Sequence, residues 1–291
     1  MPKVLLSGGT GMLGLEMLSL LRADGSHGVR CLVRPTSRVG RLGEVELAQG
    51  DAADEDSLER ALQGVDAFIH VAGIQYSPQM IPAMKRAGVS RLVIVSSTSA
   101  HSSFEHRSGP RRSMETLVRQ SGLDWTIVRP SMIYGSELDH NIHHLLRFLD
   151  RWPVFPVFGS GENLWQPVYY KDLAAGVLAA FERPVAIGKS YDLPGAHPLS
   201  YLQLVKIAAG TLGKTPRIVR LPLEPVRRVL QTAELVRLPL PVKSEQVLRL
   251  REDKAYPYED SRRDLDYEPR SFGDGIVLEV ARLREIGMVG V

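Results

Sequence analysis

The sequence has a single cysteine, Cys31, so no intrachain disulfide is available and nothing argues for an oxidising compartment. No apolar run approaches the roughly 18 residues that a membrane span needs. Met1 to Lys3 lead straight into a strand-like run without the charged and apolar regions of a leader, so a cytoplasmic protein without a membrane span is expected. Aromatic residues are sparse, at 7%, and no basic run is interleaved with them, so nucleic acid is not an expected partner. Internal repeats and low-complexity segments are also missing. What remains is 291 residues of ordinary globular composition, 44% hydrophobic and 24% charged, enough chain for one large domain or one and a half. A disordered chain, a collagen-like or coiled-coil rod and a small disulfide scaffold are thereby excluded.

The net charge is only +3, but 28 of the 36 basic residues are arginine. A guanidinium fork matches phosphate and carboxylate geometry, so arginine excess can signal anion recognition. Spread along the whole chain, as here, it reads first as compositional bias.

The first half alternates apolar strand-like runs with amphipathic stretches. Strands are expected at Val4–Ser7, Val29–Val33, Val45–Gln49, Ala67–Val71, Leu92–Ser96 and Trp125–Arg129. Helices are expected at Gly11–Ala23, Ser57–Gln63, Pro78–Ala87 and Met114–Ser121. Near-continuous apolar strands separated by helices imply an α/β, doubly wound parallel sheet buried on both faces. After Gly135 the rhythm breaks. A helix over Asn141–Arg151 precedes the Pro- and Gly-rich Trp152–Gly161, then a helix over Tyr169–Arg183 and a strand over Ser190–Leu193. From Pro198 the chain turns helical, over Tyr201–Leu212, Glu224–Val236 and Ser244–Arg251. The expected domains are therefore discontinuous: 1–135 with 167–195 returning to it, and a small, mostly helical lobe from 136–166 and 196–291.

Between the first strand and first helix stands Ser7-Gly8-Gly9-Thr10-Gly11-Met12-Leu13-Gly14. Gly8, Gly11 and Gly14 suit a tight turn, close backbone approach to a pyrophosphate and close helix–strand packing. The helix N-terminus then turns its free N–H groups toward the phosphates, with Thr10, Met12 and Leu13 beside them. This is the dinucleotide-binding arrangement of a Rossmann sheet. Arg34 follows the second strand, where an acidic residue would bond a ribose 2′-hydroxyl and an arginine suits a 2′-phosphate. Ser37 and Arg38 stand close by, so NADP(H) is expected over NAD(H).

The sequence resembles the short-chain dehydrogenase/reductase superfamily in its extended and atypical branches, the epimerase/dehydratase-like and NmrA-like proteins. The resemblance rests on ordered motifs along most of the chain: Gly8–Gly14, Gly50-Asp51, Val71-Ala72-Gly73, Ser96-Ser97-Thr98 and Arg129–Gly135. Gln166–Ala174 and Arg263–Pro269 continue it. It implies that Asp51 and Ala52 border the adenine and that Val71, Ala72 and Gly73 line the ribose and pyrophosphate path. It further places Ser96 at the end of the fifth strand, with Pro130, Ser131 and Ile133 beside the nicotinamide. The implied activity is NAD(P)-dependent hydride transfer on a small organic substrate, a carbonyl, enone or quinone-like molecule, by a monomer or homodimer.

In that superfamily a Ser or Thr works with a Tyr-x-x-x-Lys on the following helix, the lysine lowering the tyrosine pKa. Thr98 matches the hydroxyl position. Aligned through Glu115, the lysine position holds Arg111 and the tyrosine position Arg107, and no Tyr occurs between Thr98 and Met114. A guanidinium stays charged and is no general acid near neutral pH. Three readings remain open. Tyr134, Tyr76, His101 or His106 supplies the proton; or the acceptor needs no strong protein acid; or the protein binds dinucleotide without turnover, as a sensor or assembly factor. A nucleotide-sugar epimerase or dehydratase-like enzyme is a further alternative, weakened by the missing tyrosine. Arg111 is kept as a candidate for a cofactor phosphate or ribose, or for an acidic substrate.

Asp139 and His143 share a helical spacing that metal ligands use, but no Cys or distant partner accompanies them. They read as a helix start with Asp139 as N-cap, and no metal is expected. His70, within an apolar strand, reads as a satisfied core histidine. The basic amphipathic stretch from Arg227 to Arg251 is interrupted by Pro239 and Pro241, and reads as packed cap helices rather than a membrane surface.

Overall fold

The structure is a computed structural model that describes residues 1–139, 141–225, 228, 231 and 252–290. The chain forms two compact units.

The first comprises Met1–Ile133, Val168–Pro194 and Pro257–Pro269. Its seven strands form one sheet, paired throughout in parallel. From one edge the order is Lys189–Leu193, β6 (Asp124–Pro130), β5 (Arg91–Val95), β4 (Ala67–His70), β1 (Lys3–Ser7), β2 (Gly28–Val33) and β3 (Glu46–Gln49). Alternation along β1 shows how both faces are buried. Val4 and Leu6 join Met17, Leu18 and Val177, from α1 (Met12–Asp24) and the helix Tyr170–Glu182. Leu5 points the other way, into a core with Leu58, Phe68, Met80 and Val118. That second face is covered by α2 (Glu55–Leu62), α3 (Ser77–Ala87) and α4 (Glu105–Arg119). This is the expected Rossmann-like sheet, and it brings the ends of β1, β2 and β4 to one edge.

Two expectations for this unit are corrected. The helix expected over Met114–Ser121 begins nine residues earlier, at Glu105, and carries Gly109 and Pro110 inside it. Both are poor helix formers, and they hid its first two turns. Residues Pro257–Pro269, expected in the second lobe, fold with the first unit. Asp264 accepts from Lys189 Nζ at 2.8 Å and Tyr191 Oη at 2.9 Å, while Tyr267 Oη donates to the Pro194 carbonyl at 2.7 Å. The hydrogen bonds from Arg263 and Lys189 hold the Asp264 carboxyl well below the usual carboxylate range.

The second unit comprises Tyr134–Pro167, Gly195–Tyr256 and Arg270–Val291. Its described helices are Ile142–Arg151, Tyr201–Thr211 and Phe272–Glu285. The Pro- and Gly-rich stretch Trp152–Gly161 contains a strand, Val154–Phe158, paired in parallel with Arg217–Leu221. The helices expected over Glu224–Val236 and Ser244–Arg251, with their basic stretch, fall almost wholly outside the described residues. Among the described residues no helix is long and apolar enough to cross a membrane.

Glu279 occupies the buried stripe of Phe272–Glu285, alongside Ile276, Val280 and Leu283. Burial, with the charge of Asp139 next, pushes its carboxyl up to about 10 from an ordinary 4.5. The native state thus holds a proton that the unfolded chain releases above about pH 4.5. Stability therefore falls as pH rises from there toward about 10, by at most about 1.4 kcal/mol per pH unit. Glu279→Gln keeps the shape and removes the titration. Urea unfolding at about pH 6 and about pH 9 should show a smaller loss between the two for the variant than for the parent.

Candidate dinucleotide-binding site

The turn after β1 is shaped by glycines at two positions. Gly8 has φ +76° and faces Val71, whose Cγ2 would lie 2.9 Å from an added Cβ. Gly14 lets α1 press against the turn, since a Cβ there would stand 2.1 Å from the Gly8 carbonyl oxygen and 2.7 Å from Gly9 Cα. The Gly11 amide donates to Gly8 O at 3.0 Å, and Gly11 caps α1 without a side-chain hydrogen bond. The first amides of α1, from Met12 and Leu13, therefore have no side-chain acceptor at the cap. The Leu13 side chain is in the core, so only its backbone is offered to the cleft.

A cleft opens beside this turn, lined by Ser7, Gly8, Thr10, Arg34, Ser37, Gly50, Asp51, Ala52, Ala72 and Tyr76. Ser37 Oγ accepts from the Arg34 amide at 3.0 Å, shaping the loop after β2. Asp51 is set by two bonds: its amide donates to Ser57 Oγ, and its Oδ1 accepts from the Ala53 amide, both at 3.0 Å. The cleft floor is tied by His70. Its Nε2 donates to the Gly73 carbonyl at 2.9 Å, so Nδ1 is the acceptor for Ser7 Oγ at 2.5 Å. Burial lowers the His70 pKa to about 4, keeping the ring neutral. It is a structural histidine that joins the ends of β1 and β4. A backbone nest at a helix start, a basic residue after β2 and an acidic residue after β3 together fit a dinucleotide.

The structure brings Gly8, Thr10, Arg34, Asp51, Ala52 and Ala72 together around this cleft. Others are placed differently. Ser96 is buried and its hydroxyl donates to Glu115 Oε1 at 2.8 Å, so its side chain is committed within the fold. Pro130 ends β6, while Ser131 and Ile133 are half-buried just beyond it. Thr98 is buried at the start of a short 3₁₀ turn, Thr98–His101. Tyr134 has no exposed surface; its ring packs on Phe272 and its hydroxyl is aimed at Gly275 in the second unit's core. That burial removes Tyr134 as a proton donor. Asp139 Oδ1 accepts from the amides of Asn141 at 2.8 Å and His143 at 3.3 Å, the job of a helix-start acceptor. Among the described residues no group of three or more His, Cys, Asp or Glu is placed to hold a metal ion.

One feature at the ends of β5 and β6 had no local signal in the sequence. Glu115, on α4, is buried and accepts from Arg129 through Nε at 2.8 Å and Nη2 at 2.7 Å, and from Arg119 at 2.6 Å. Arg129 extends toward Asp192 at 3.4 Å, and Asp192 in turn meets His101 Nε2 at 3.0 Å. These residues come from three separate strands and helices and the turn after β5, and only the folded sheet aligns them.

Fold and cleft define an NAD(P)-binding protein of the Rossmann class. The comparisons sharpen that. The NAD(P)H-binding family model matches residues 8–145, and the NAD dependent epimerase/dehydratase family model matches residues 110–193. A ceramide reductase from Caulobacter vibrioides is 30% identical over 235 residues, 75% of this chain and 73% of the relative. The mitochondrial NADH dehydrogenase [ubiquinone] 1 alpha subcomplex subunit 9 of Arabidopsis thaliana is 26% identical over 268 residues, 84% of this chain. This chain spans only 66% of that subunit's length. In three dimensions, a nucleoside-diphosphate-sugar epimerase from Pseudomonas aeruginosa superposes with a TM-score of 0.80 at 21% identity, over 99% of both chains. The chain belongs to the short-chain dehydrogenase/reductase superfamily, in its NAD(P)-binding, epimerase/dehydratase-like branch.

Proposed function

We propose that the protein is an NADP(H)-dependent reductase of a small carbonyl, enone or quinone-like acceptor, acting in the cytoplasm. The observation that carries this reading is the cleft at the ends of β1, β2 and β4, with Arg34 on its wall and the Gly8–Gly14 turn at its base. When bound, the cofactor supplies a hydride. The amides of Met12 and Leu13 hold its phosphates, Asp51 and Ala52 border the adenine, and Arg34 with Ser37 takes a 2′-phosphate. Thr98, three residues past the end of β5, supplies the hydroxyl contact to the substrate, and Arg111 replaces the lysine that orients the reacting end. No tyrosine stands on α4, which disfavours epimerisation at a sugar carbinol and favours acceptors that need no strong acid. The buried Cys31 thiol, whose pKa burial pushes up to about 11, suits a reducing compartment.

Arg34→Ala should weaken NADPH about tenfold, about 1.4 kcal/mol, and leave NADH nearly unchanged. Fluorescence titration of both nucleotides checks this, and equal losses for the two would remove the 2′-phosphate assignment. NADPH oxidation with a panel of aldehydes, enones and quinones tests the reaction. A second reading, a non-catalytic NAD(P)-binding subunit, is supported by the arginines at the Tyr and Lys positions and by the likeness to a respiratory-complex subunit. Tight NADPH binding with no turnover across the panel would favour it over the reductase.

A further inference from the structure

The N-terminal half of α4 carries charge on the face it turns inward. Its inward stripe runs through Arg107 and Ser108, Arg111, then Met114, Glu115 and Val118, at the three- and four-residue spacing of one helix face. Arg107 and Arg111 are half-buried there, whereas Arg112 and Ser113 on the other side are exposed. The carboxylates near α4 are already engaged. Glu115 is held by Arg129 and Arg119, and Glu105 pairs with Arg112. Among the described residues neither Arg107 nor Arg111 has a carboxylate within ion-pair distance, and Arg111 Nη1 donates to the Arg107 carbonyl at 3.3 Å.

Two guanidiniums one turn apart, half out of water and without a carboxylate partner among the described residues, repel each other and cannot escape by losing a proton. Burial, and then the Arg107 charge, pull the Arg111 pKa down from its ordinary value. Such a pair is satisfied by an oxyanion that arrives with a ligand, because forked N–H donors match carboxylate and phosphate oxygens. Its place says which ligand. The helix packs on the turn Thr98–His101 and on the turn Ile74–Tyr76, whose Tyr76 lines the dinucleotide cleft. Those turns follow β5 and β4, two strands and one strand from β1 respectively, so the nearest phosphate site on α1 is displaced along the sheet by about 5–10 Å.

We propose that Arg107 and Arg111 form an oxyanion site for the substrate, and that the acceptor carries a carboxylate or phosphate group. This rests on the reductase reading for the word substrate, while the anion site itself is testable without turnover. The NADPH-saturated protein is titrated by calorimetry with benzoate and with inorganic phosphate, alongside Arg107→Gln and the charge-keeping Arg107→Lys. The expected result is saturable binding that weakens at least about tenfold in Arg107→Gln and is largely kept in Arg107→Lys. Unchanged anion affinity in Arg107→Gln would overturn the site. Weakened NADPH affinity with unchanged anion affinity would assign the pair to the cofactor's phosphates and overturn the substrate role. In turnover, the kcat/KM ratio of para-carboxybenzaldehyde to benzaldehyde should exceed about ten and fall toward one in Arg107→Gln. A ratio unaltered by the substitution would count against the pair as a substrate site. If neither aldehyde nor any quinone is reduced, the reductase reading fails, and the benzoate titration still judges the anion site.

Discussion

Glu115→Ala should cost about 3–5 kcal/mol of stability, the largest loss expected from any single charge removal in the first unit. The carboxylate is 2% exposed and accepts four hydrogen bonds, from Ser96, Arg119 and twice from Arg129. Burial alone would raise its pKa, but the Arg129 bonds and charge outweigh that and hold it below the ordinary value. Its stabilisation is therefore present above the unfolded carboxylate value and is lost as pH falls from there through the lowered native-state value. Without Glu115, Arg129 keeps Asp192, at 3.4 Å, as its acidic partner among the described residues, and remains buried with its charge poorly matched. Ser96 loses its acceptor as well. Urea denaturation near neutral pH measures the loss. Glu115→Leu combined with Arg129→Met should recover much of it, because an apolar pair removes both charges from the interior together. If Glu115→Ala costs less than about 1 kcal/mol, the network is solvated and contributes little.

Gly14→Ala should abolish most NADPH affinity, by about a hundredfold or more, and destabilise the first unit. Helix propensity alone predicts the opposite, a gain of about 1 kcal/mol from alanine inside a helix. Sterics decide. The new methyl would stand 2.1 Å from Gly8 O and 2.7 Å from Gly9 Cα, both backbone atoms, so α1 or the turn must move. Movement of about 1 Å misaims the helix-start amides proposed to hold the phosphates. Two controls separate this from a general effect. At Gly40 an added Cβ meets nothing within 4 Å, and at Gly11 its nearest neighbour is Gly8 O at 3.4 Å, so alanine should be tolerated sterically at both. Circular dichroism and NADPH titration on the three variants check the ranking.

The sheet was legible in the sequence because its central strands, such as β1, β4 and β5, are short apolar runs buried on both faces, a pattern local enough to read in isolation. The glycine turn was legible for the same reason: its whole logic fits within Gly8–Gly14. Tyr134 misled because its motif follows β6, whereas its side chain is taken by Phe272 and Gly275, more than a hundred residues away. Ser96 likewise belonged to a strand-end motif, yet its hydroxyl is claimed by Glu115 from α4. The line from Glu115 through Arg129 and Asp192 to His101 joins elements 14 to 91 residues apart, and no spacing rule encodes such a line. Arg107 and Arg111 were visible as residues, but their inward placement required α4 to begin at Glu105, which Gly109 and Pro110 concealed.

Binding of a phosphorylated dinucleotide by the first unit, through the Gly8–Gly14 turn and Arg34, is the proposal on which the other expectations rest. Titrating the full chain with NADPH, followed by nucleotide fluorescence, tests it most directly. Saturable one-to-one binding is expected, weaker for NADH and nearly lost in Gly14→Ala. Absence of saturable binding to the parent protein, or equal affinity in Gly14→Ala, would contradict it.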